Sequence, residues 1–316
     1  MSKVIFGVDL GGTTVKMGLF DTEGNVSDKW EIKTRKEDNG SKILPDIAEA
    51  IKKKMAEKGI EKNDVVGVGI GVPGPVDGNG VIYKAANLGW GEFSVKEELS
   101  KLLEGIPVEA GNDANVAALG EMWKGGGAGY KNLVAVTLGT GVGGGIIVEG
   151  KILTGATGAG GEIGHIHIVD DEPDACGCGN HGCLEQYASA TGVSRLAKRR
   201  LAKDNKPSSL RNGDLSAKAV FDAVKAGDEL AKEIAVQFGH YLGKGLAAIA
   251  CVVNPEIFVI GGGVSKAGEV LFEYIKDEYN KYVFHGSRGV KFALATLGND
   301  AGIYGAANLC WIKSFN

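Results

Sequence analysis

VIFGVDLGGTTVKMGLFDTEG, residues 4–24, and NLVAVTLGTGVGGGIIVEGK, residues 132–151, share one design: an alternating strand, a Gly/Thr-rich tight turn, a second strand and a polar turn. A shift of 128 residues superposes Val8 on Val136, Leu10 on Leu138 and Gly11 on Gly139. Internal self-similarity of this kind predicts a duplicated unit, here two homologous domains facing one another. Outward from the first hairpin, Leu44, Ile47, Ile51 and Met55 mark one face of a helix, and a strand follows at 65–72. In the second half Leu230, Ile234, Phe238, Leu242, Leu246 and Ile249 mark a long helix stopped by Asn254-Pro255. Residues 256–260 read as a buried strand and Gly261-Gly262-Gly263 as a turn. Ser265 reads as the N-cap of a helix carrying Val270, Leu271, Tyr274 and Ile275. Hairpin, crossover helix and strand make an α/β unit, and the pattern occurs twice.

The 316 residues suit two domains of ordinary size, and 44% hydrophobic with 23% charged residues is a globular composition. A net charge of −4 gives no general attraction to nucleic acid, so a small diffusible ligand is the expected partner. The basic stretch RLAKRRLAK at 195–203 reads as a solvated helix face. The nearest approach to an apolar membrane span is 133–148, interrupted by glycine and threonine, so no membrane association is expected. Asp9 breaks any secretory core near the N-terminus, and a cytoplasmic location is expected. Cys251 and Cys310 lie in apolar helical contexts and read as inert core residues.

Glycine is the unusual component, 51 of 316 residues, more than twice the usual ~7%. The string GTGVGG at 139–144 fits G-x-G-x-x-G, but the β-branched IIVEGKIL that follows is a strand where a dinucleotide site requires a helix. The P-loop pattern G-x-x-x-x-G-K-[ST] does not occur. Two hairpin turns remain, Gly11-Gly12-Thr13-Thr14 and Gly139-Thr140-Gly141, each offering backbone N–H groups and hydroxyls to an anion. A plain bend would explain either turn alone; the duplicated pair, with Asp9 and the Gly261-Gly262 turn, points to phosphate. Asp9, ending its strand beside a phosphate site, would repel the ligand unless Mg²⁺ lay between, and Lys16 adds positive charge.

Residues 160–185, GGEIGHIHIVDDEPDACGCGNHGCLE, hold Cys176, Cys178 and Cys183 behind His165, a Cys₃His set of the kind that closes around structural zinc. His167 and His181 compete for the fourth position, and alternation in GHIHI puts His165 and His167 on one face. Glu162 and Glu185 flank this loop as acceptors for sugar hydroxyls, and the second ring nitrogen of His165 could serve likewise. Asn87, Asn112 and Asp113 add amides and a carboxylate, although Asp113 also stands where a helix N-cap is wanted.

Taken together, DLGGTTVKMGLFD (9–21), GVPGPVD (71–77), NLGW (87–90), NDANVAALGE (112–121), LGTGVGGG (138–145), GGEIGHI (160–166), CGCGNHGCLE (176–185) and IGGGVS (260–265) resemble the ROK family of bacterial sugar kinases and repressors, within the actin-like, hexokinase and Hsp70 ATPase superfamily. The resemblance implies two actin-like (ribonuclease H-like) α/β domains with an interdomain cleft. Residues 1–115 would form the smaller, rejoined by a C-terminal helix at 303–316, and 116–302 the larger, with the zinc loop. It implies ATP-dependent phosphorylation of glucose at the 6-hydroxyl, with fructose or N-acetylmannosamine as alternative sugars and a non-catalytic sugar sensor as the other class. Asp113 would be the general base. Asn87, Asn112, Glu162, His165 and Glu185 would hold the sugar, and His165, Cys176, Cys178 and Cys183 the zinc. A homodimer or homotetramer is expected. Family repressors carry a helix-turn-helix ahead of this region, whereas here the first strand starts by Val4, so a kinase is the leading expectation. Gly111 stands where the family often has Glu, and Asn299 where it often has Asp.

Overall fold

A computed structural model describes residues 3–315. The first half runs β1 (Val4–Leu10), β2 (Thr14–Asp21), β3 (Val26–Lys33), a single turn α1 (Glu37–Gly40), α2 (Ile43–Lys58), β4 (Val65–Val72), the short pair β5 (Val81–Ile82) and β6 (Phe93–Ser94), α3 (Val95–Leu102), β7 (Val108–Asn112) and α4 (Asp113–Lys124). The second half runs β8 (Leu133–Leu138), β9 (Val142–Val148), β10 (Lys151–Ile152), α5 (Glu185–Ala188), α6 (Ala190–Leu201), α7 (Ala217–Lys225), α8 (Glu229–Val253), β11 (Ile257–Gly261), α9 (Val270–Tyr282), β12 (Lys291–Leu294) and α10 (Ala301–Phe315).

The duplication is visible in the topology. One sheet is ordered β3-β2-β1-β4-β7 and the other β10-β9-β8-β11-β12. In both, a hairpin of antiparallel strands continues into parallel pairing, β1 with β4 and β8 with β11. The fold is α/β, built from two actin-like sheets. Parallel pairing needs a crossover that covers the sheet. In the first half α2 supplies it, with Leu44, Ile47 and Ile51 buried and Met55 partly so.

Two helices fill the joint between the sheets. α10 lies on the first sheet so closely that a methyl group at Gly69 would overlap the carbonyl oxygen of Ala306. α4 lies on the second sheet, where a Cβ at Gly145 would come 2.5 Å from that of Ala118. The two helices also touch each other backbone to backbone, since a side chain at Gly305 would overlap the Val116 carbonyl. Much of the glycine excess thus serves close approach. α10 begins at Ala301, two residues before the expected start.

Several expectations are corrected. Ser265 caps no α-helix: it lies in a 3₁₀ turn, Val264–Ala267, its hydroxyl donating to Gly262 O at 2.8 Å, and α9 starts only at Val270. Cys310 is buried but Cys251 is exposed, because it falls on the outer side of α8. The helix nearest to a membrane span by length and composition is α8, not 133–148; half of its apolar window is buried, and it packs on α9 as a core helix. The basic stretch is not simply solvated. Arg199 makes a two-pronged contact with buried Glu172 at 2.8 and 2.9 Å, Arg195 joins it at 3.1 Å, and Arg200 is buried against Glu233. A carboxylate held by Arg199 and Tyr187 overcomes its burial, and the pKa of Glu172 falls to about 2.

Candidate active site

The floor of the site is built where β1 and β7 end. Asp9 is the penultimate residue of β1, paired across the hairpin with Lys16. The Lys16 ammonium donates to the backbone carbonyl of Asn299 at 3.2 Å, so this contact is unaffected by which side chain stands at 299. Burial first, and then the charge of Asp113, push Asp9 up to about 6, with Lys16 opposing. The charge of Asp113 thus reaches Asp9 from the end of β7.

Asp113 starts α4 but does not cap it. Asn112 is the cap: its Oδ1 accepts from the N–H of Ala114 at 3.0 Å and of Asn115 at 3.2 Å, while its Nδ2 donates to Gly74 O and Asp113 Oδ1, both at 3.1 Å. Asp113 Oδ1 also accepts from Ala114 N at 2.8 Å. Burial raises the Asp113 pKa above the ordinary carboxylate value and outweighs these hydrogen bonds; the charge of Glu162 adds to the rise. Gly111 is buried, and a Cβ there would sit 3.1 Å from Val116, leaving no ready space for a longer side chain.

Each glycine turn is braced from outside. In the first, Gly11 N donates to Thr14 O at 3.0 Å, Thr34 N donates to Thr13 O at 2.9 Å, and the Thr34 hydroxyl donates to Gly11 O at 2.7 Å. Gly12 has open space beside it, as an anion would need. In the second, Gly139 N donates to Gly141 O at 3.0 Å, Ala190 N to Gly139 O at 2.8 Å and the Thr191 hydroxyl to Thr140 O at 2.9 Å. Gly262, with φ of 86°, tucks against the Leu138 backbone and so brings the Gly261-Gly262 turn to this hairpin; a side chain would fit neither the angle nor the gap. Thr34 and Thr191 gave no sequence signal, because a brace across 23 or 51 residues has no local pattern.

His165 Nδ1 and the sulfurs of Cys176, Cys178 and Cys183 lie within 4.8 Å of one another. The S···N separation of Cys176 and His165 is 3.8 Å and the S···S separation of Cys178 and Cys183 is 3.7 Å. Tetrahedral zinc with ordinary bond lengths requires about 3.6 and 3.8 Å for these pairs, so the donor set fits that ion. The other histidines are otherwise engaged. His167 uses one ring nitrogen on His181 O at 2.8 Å and the other on Asp170 at 3.0 Å, and His181 Nδ1 meets Glu172 O at 3.0 Å. The alternation argument failed because Ile163–His165 is a 3₁₀ turn and not a strand. His165 Nε2 points away from the sulfurs toward Glu162, 3.9 Å from its carboxylate.

Glu185 follows Cys183 by two residues and starts α5. Its Oε2 accepts from Val142 N at 3.0 Å and its Oε1 lies 3.6 Å from Cys176 Sγ, so it joins the cysteine loop to the second glycine turn. With Thr140, Cys176, Thr191 and Arg195 it lines a recess of about 190 Å³. Asn87 is exposed on the 83–92 loop, and among the described residues it makes no hydrogen bond to this cluster.

Paired sheets, two braced glycine turns and a desolvated carboxylate at a helix start define an actin-like phosphotransferase architecture. The ROK family model matches residues 5–312, and this chain belongs to that family. A glucokinase of Halalkalibacterium halodurans is 46% identical over 306 residues, 95% of this chain and 92% of the relative. Among solved structures, a ROK hexokinase from Thermus thermophilus superposes with a TM-score of 0.81 at 33% identity, covering 98% of each chain. A ROK family glucokinase from Streptomyces griseus in complex with glucose and AMPPNP superposes with a TM-score of 0.72 at 34% identity, covering 97% of this chain and 98% of that one.

Proposed function

We propose that this protein is an ATP-dependent glucokinase in which Asp113 is the general base for the 6-hydroxyl of glucose. The observation that carries this reading is the state of Asp113: fixed by Asn112, desolvated, and raised in pKa by its surroundings. Phosphoryl transfer needs a placed oxygen, neutralised phosphate charge and an acceptor for the hydroxyl proton. A base with a raised pKa takes that proton more readily as the bond to phosphorus forms. Glu162, His165 through Nε2, Asn112 and Asn87 are the proposed sugar contacts, with Glu185 beside them. The turns at Gly11, Gly12, Thr13 and Thr14 and at Gly139, Thr140 and Gly141, with Gly261 and Gly262, are the proposed ATP contacts.

The desolvated carboxylate of Asp9 suits Mg²⁺, a hard cation that keeps several waters and takes one or two carboxylates. Mg²⁺ held by Asp9 would neutralise phosphate charge, and Lys16 would add positive charge beside the phosphates. Zinc, held by His165 and the three cysteines, would order the loop that presents Glu162 and Glu185. A division at residue 115 is supported by the separate cores of the two sheets, and the return of α10 to the first unit by the packing of Ile303, Ala307 and Cys310 with Ile5 and Phe20. A cytoplasmic homodimer or homotetramer belongs to the same reading; the exposed Tyr282 and Phe284 are surface that such an assembly would cover.

ADP release across a panel of hexoses tests the function. Glucose is expected to give the highest kcat/KM. Preference for fructose or N-acetylmannosamine would reassign the sugar, and sugar binding without ADP release would make the chain a sensor.

A further inference from the structure

Glu185 stands between two sites that the proposed reaction must bring into use together. Its carboxylate accepts the N–H of Val142, the first residue of β9 after the Gly139-Thr140-Gly141 turn, at 3.0 Å. It lies over Gly141 so closely that any side chain there would overlap Oε2. A glycine-rich turn holds phosphate through free N–H groups. Here one adjacent N–H is taken, and by an anion that repels phosphate. The other carboxylate oxygen faces Cys176, which faces His165, whose free nitrogen faces Glu162. The same side chain is therefore joined to the proposed sugar contacts through the cysteine loop.

We propose that Glu185 couples the two substrates: without sugar its carboxylate occupies the second phosphate turn, and sugar hydroxyls draw it off, freeing Val142 N–H and removing a negative charge from the nucleotide's place. This rests on the reading of Gly139–Gly141 as phosphate-binding and goes beyond it, because it makes nucleotide affinity conditional on sugar. The effect is reciprocal: whatever factor glucose contributes to nucleotide affinity, nucleotide contributes to glucose affinity. It also restrains wasteful ATP hydrolysis when no sugar is present.

The experiment is calorimetric titration of Mg²⁺-AMPPNP into zinc-loaded protein, with and without saturating glucose. The native protein is expected to bind the nucleotide about 10-fold more tightly with glucose, within the usual range of such couplings. Glu185→Gln, which keeps the shape and removes the charge, is expected to bind AMPPNP without glucose about as tightly as the native protein does with it. Glucose, saturating by separate titration, should then add less than about 2-fold. If Glu185 were only a strut for the turn, Glu185→Gln would bind nucleotide equally or more weakly and keep the full glucose effect, and the proposal would be overturned. Should Glu185→Gln lose its zinc, Glu185→Ala, which removes both the charge and the hold on Val142, is read in the same way. Native protein that binds no AMPPNP even with glucose would overturn the kinase reading and this proposal with it. Tight but uncoupled binding would overturn the proposal alone.

Discussion

Asn112 donates from Nδ2 to Asp113 Oδ1 at 3.1 Å while its Oδ1 accepts two N–H groups of the first turn of α4. One side chain thus starts the helix and aims the neighbouring carboxylate. Asn112→Ala is expected to lower stability by about 1 kcal/mol, the usual worth of a cap. It should also lower kcat by about 10-fold, less than loss of the base itself, with the ATP KM little changed. Asn112→Ser keeps a capping oxygen but loses both Nδ2 contacts, so it should recover the stability and not the rate. Thermal melts and steady-state kinetics on both variants check this.

The raised pKa of Asp113 has two consequences of known sign. A base works only when ionised, so the acid limb of kcat/KM should lie above the ordinary carboxylate value of 3.8. For stability, a carboxyl that binds its proton more tightly in the folded state makes folding less favourable as pH rises from the unfolded toward the folded pKa. For Asp9 that window runs from 3.8 to about 6. Asp113→Asn removes one of these desolvated charges, so it should melt higher than the native protein at about pH 7. The gain should shrink toward about pH 4, as Asp113 takes up its proton in the folded state. Equal melting at both values would contradict the burial argument.

Elemental analysis of protein purified without chelator should find one zinc per chain. Stripping it, or Cys178→Ala, is expected to weaken glucose binding at least 10-fold, as loss of a group that orients ligands does. Because Glu185 reaches the second glycine turn, the glucose effect on AMPPNP binding should be lost as well. Metal-free protein with full activity would remove zinc from the account.

The joint between the sheets has no room for side chains. Gly69→Ala sets a methyl group onto the Ala306 carbonyl, backbone against backbone, where no rotamer change gives relief. A loss of about 3 kcal/mol, at the upper end of ordinary overpacking, is expected in chemical denaturation.

The duplicated hairpins were legible because strand alternation and glycine turns are local, and a shift along the chain exposes the repeat. The three cysteines were legible for the same reason. The choice between Asn112 and Asp113 as cap was not, since both residue types cap well and only geometry separates them. His165 could not be told from His167 by alternation, because the backbone there turns instead of extending. Glu172 hid the true setting of Arg195 and Arg199, being 23 and 27 residues away from them. Glu185 read as a sugar contact from its place beside the cysteines, and its hold on Val142 appears only when residues 43 apart in sequence meet.

The central claim is that Asp113 removes the proton from the sugar hydroxyl, and Asp113→Asn tests it most directly. The substitution keeps an oxygen for Ala114 N and removes only the ability to take a proton. The account predicts a fall in kcat of at least ~10²-fold, while glucose affinity measured by calorimetry changes far less. A variant that keeps near-native kcat would contradict it.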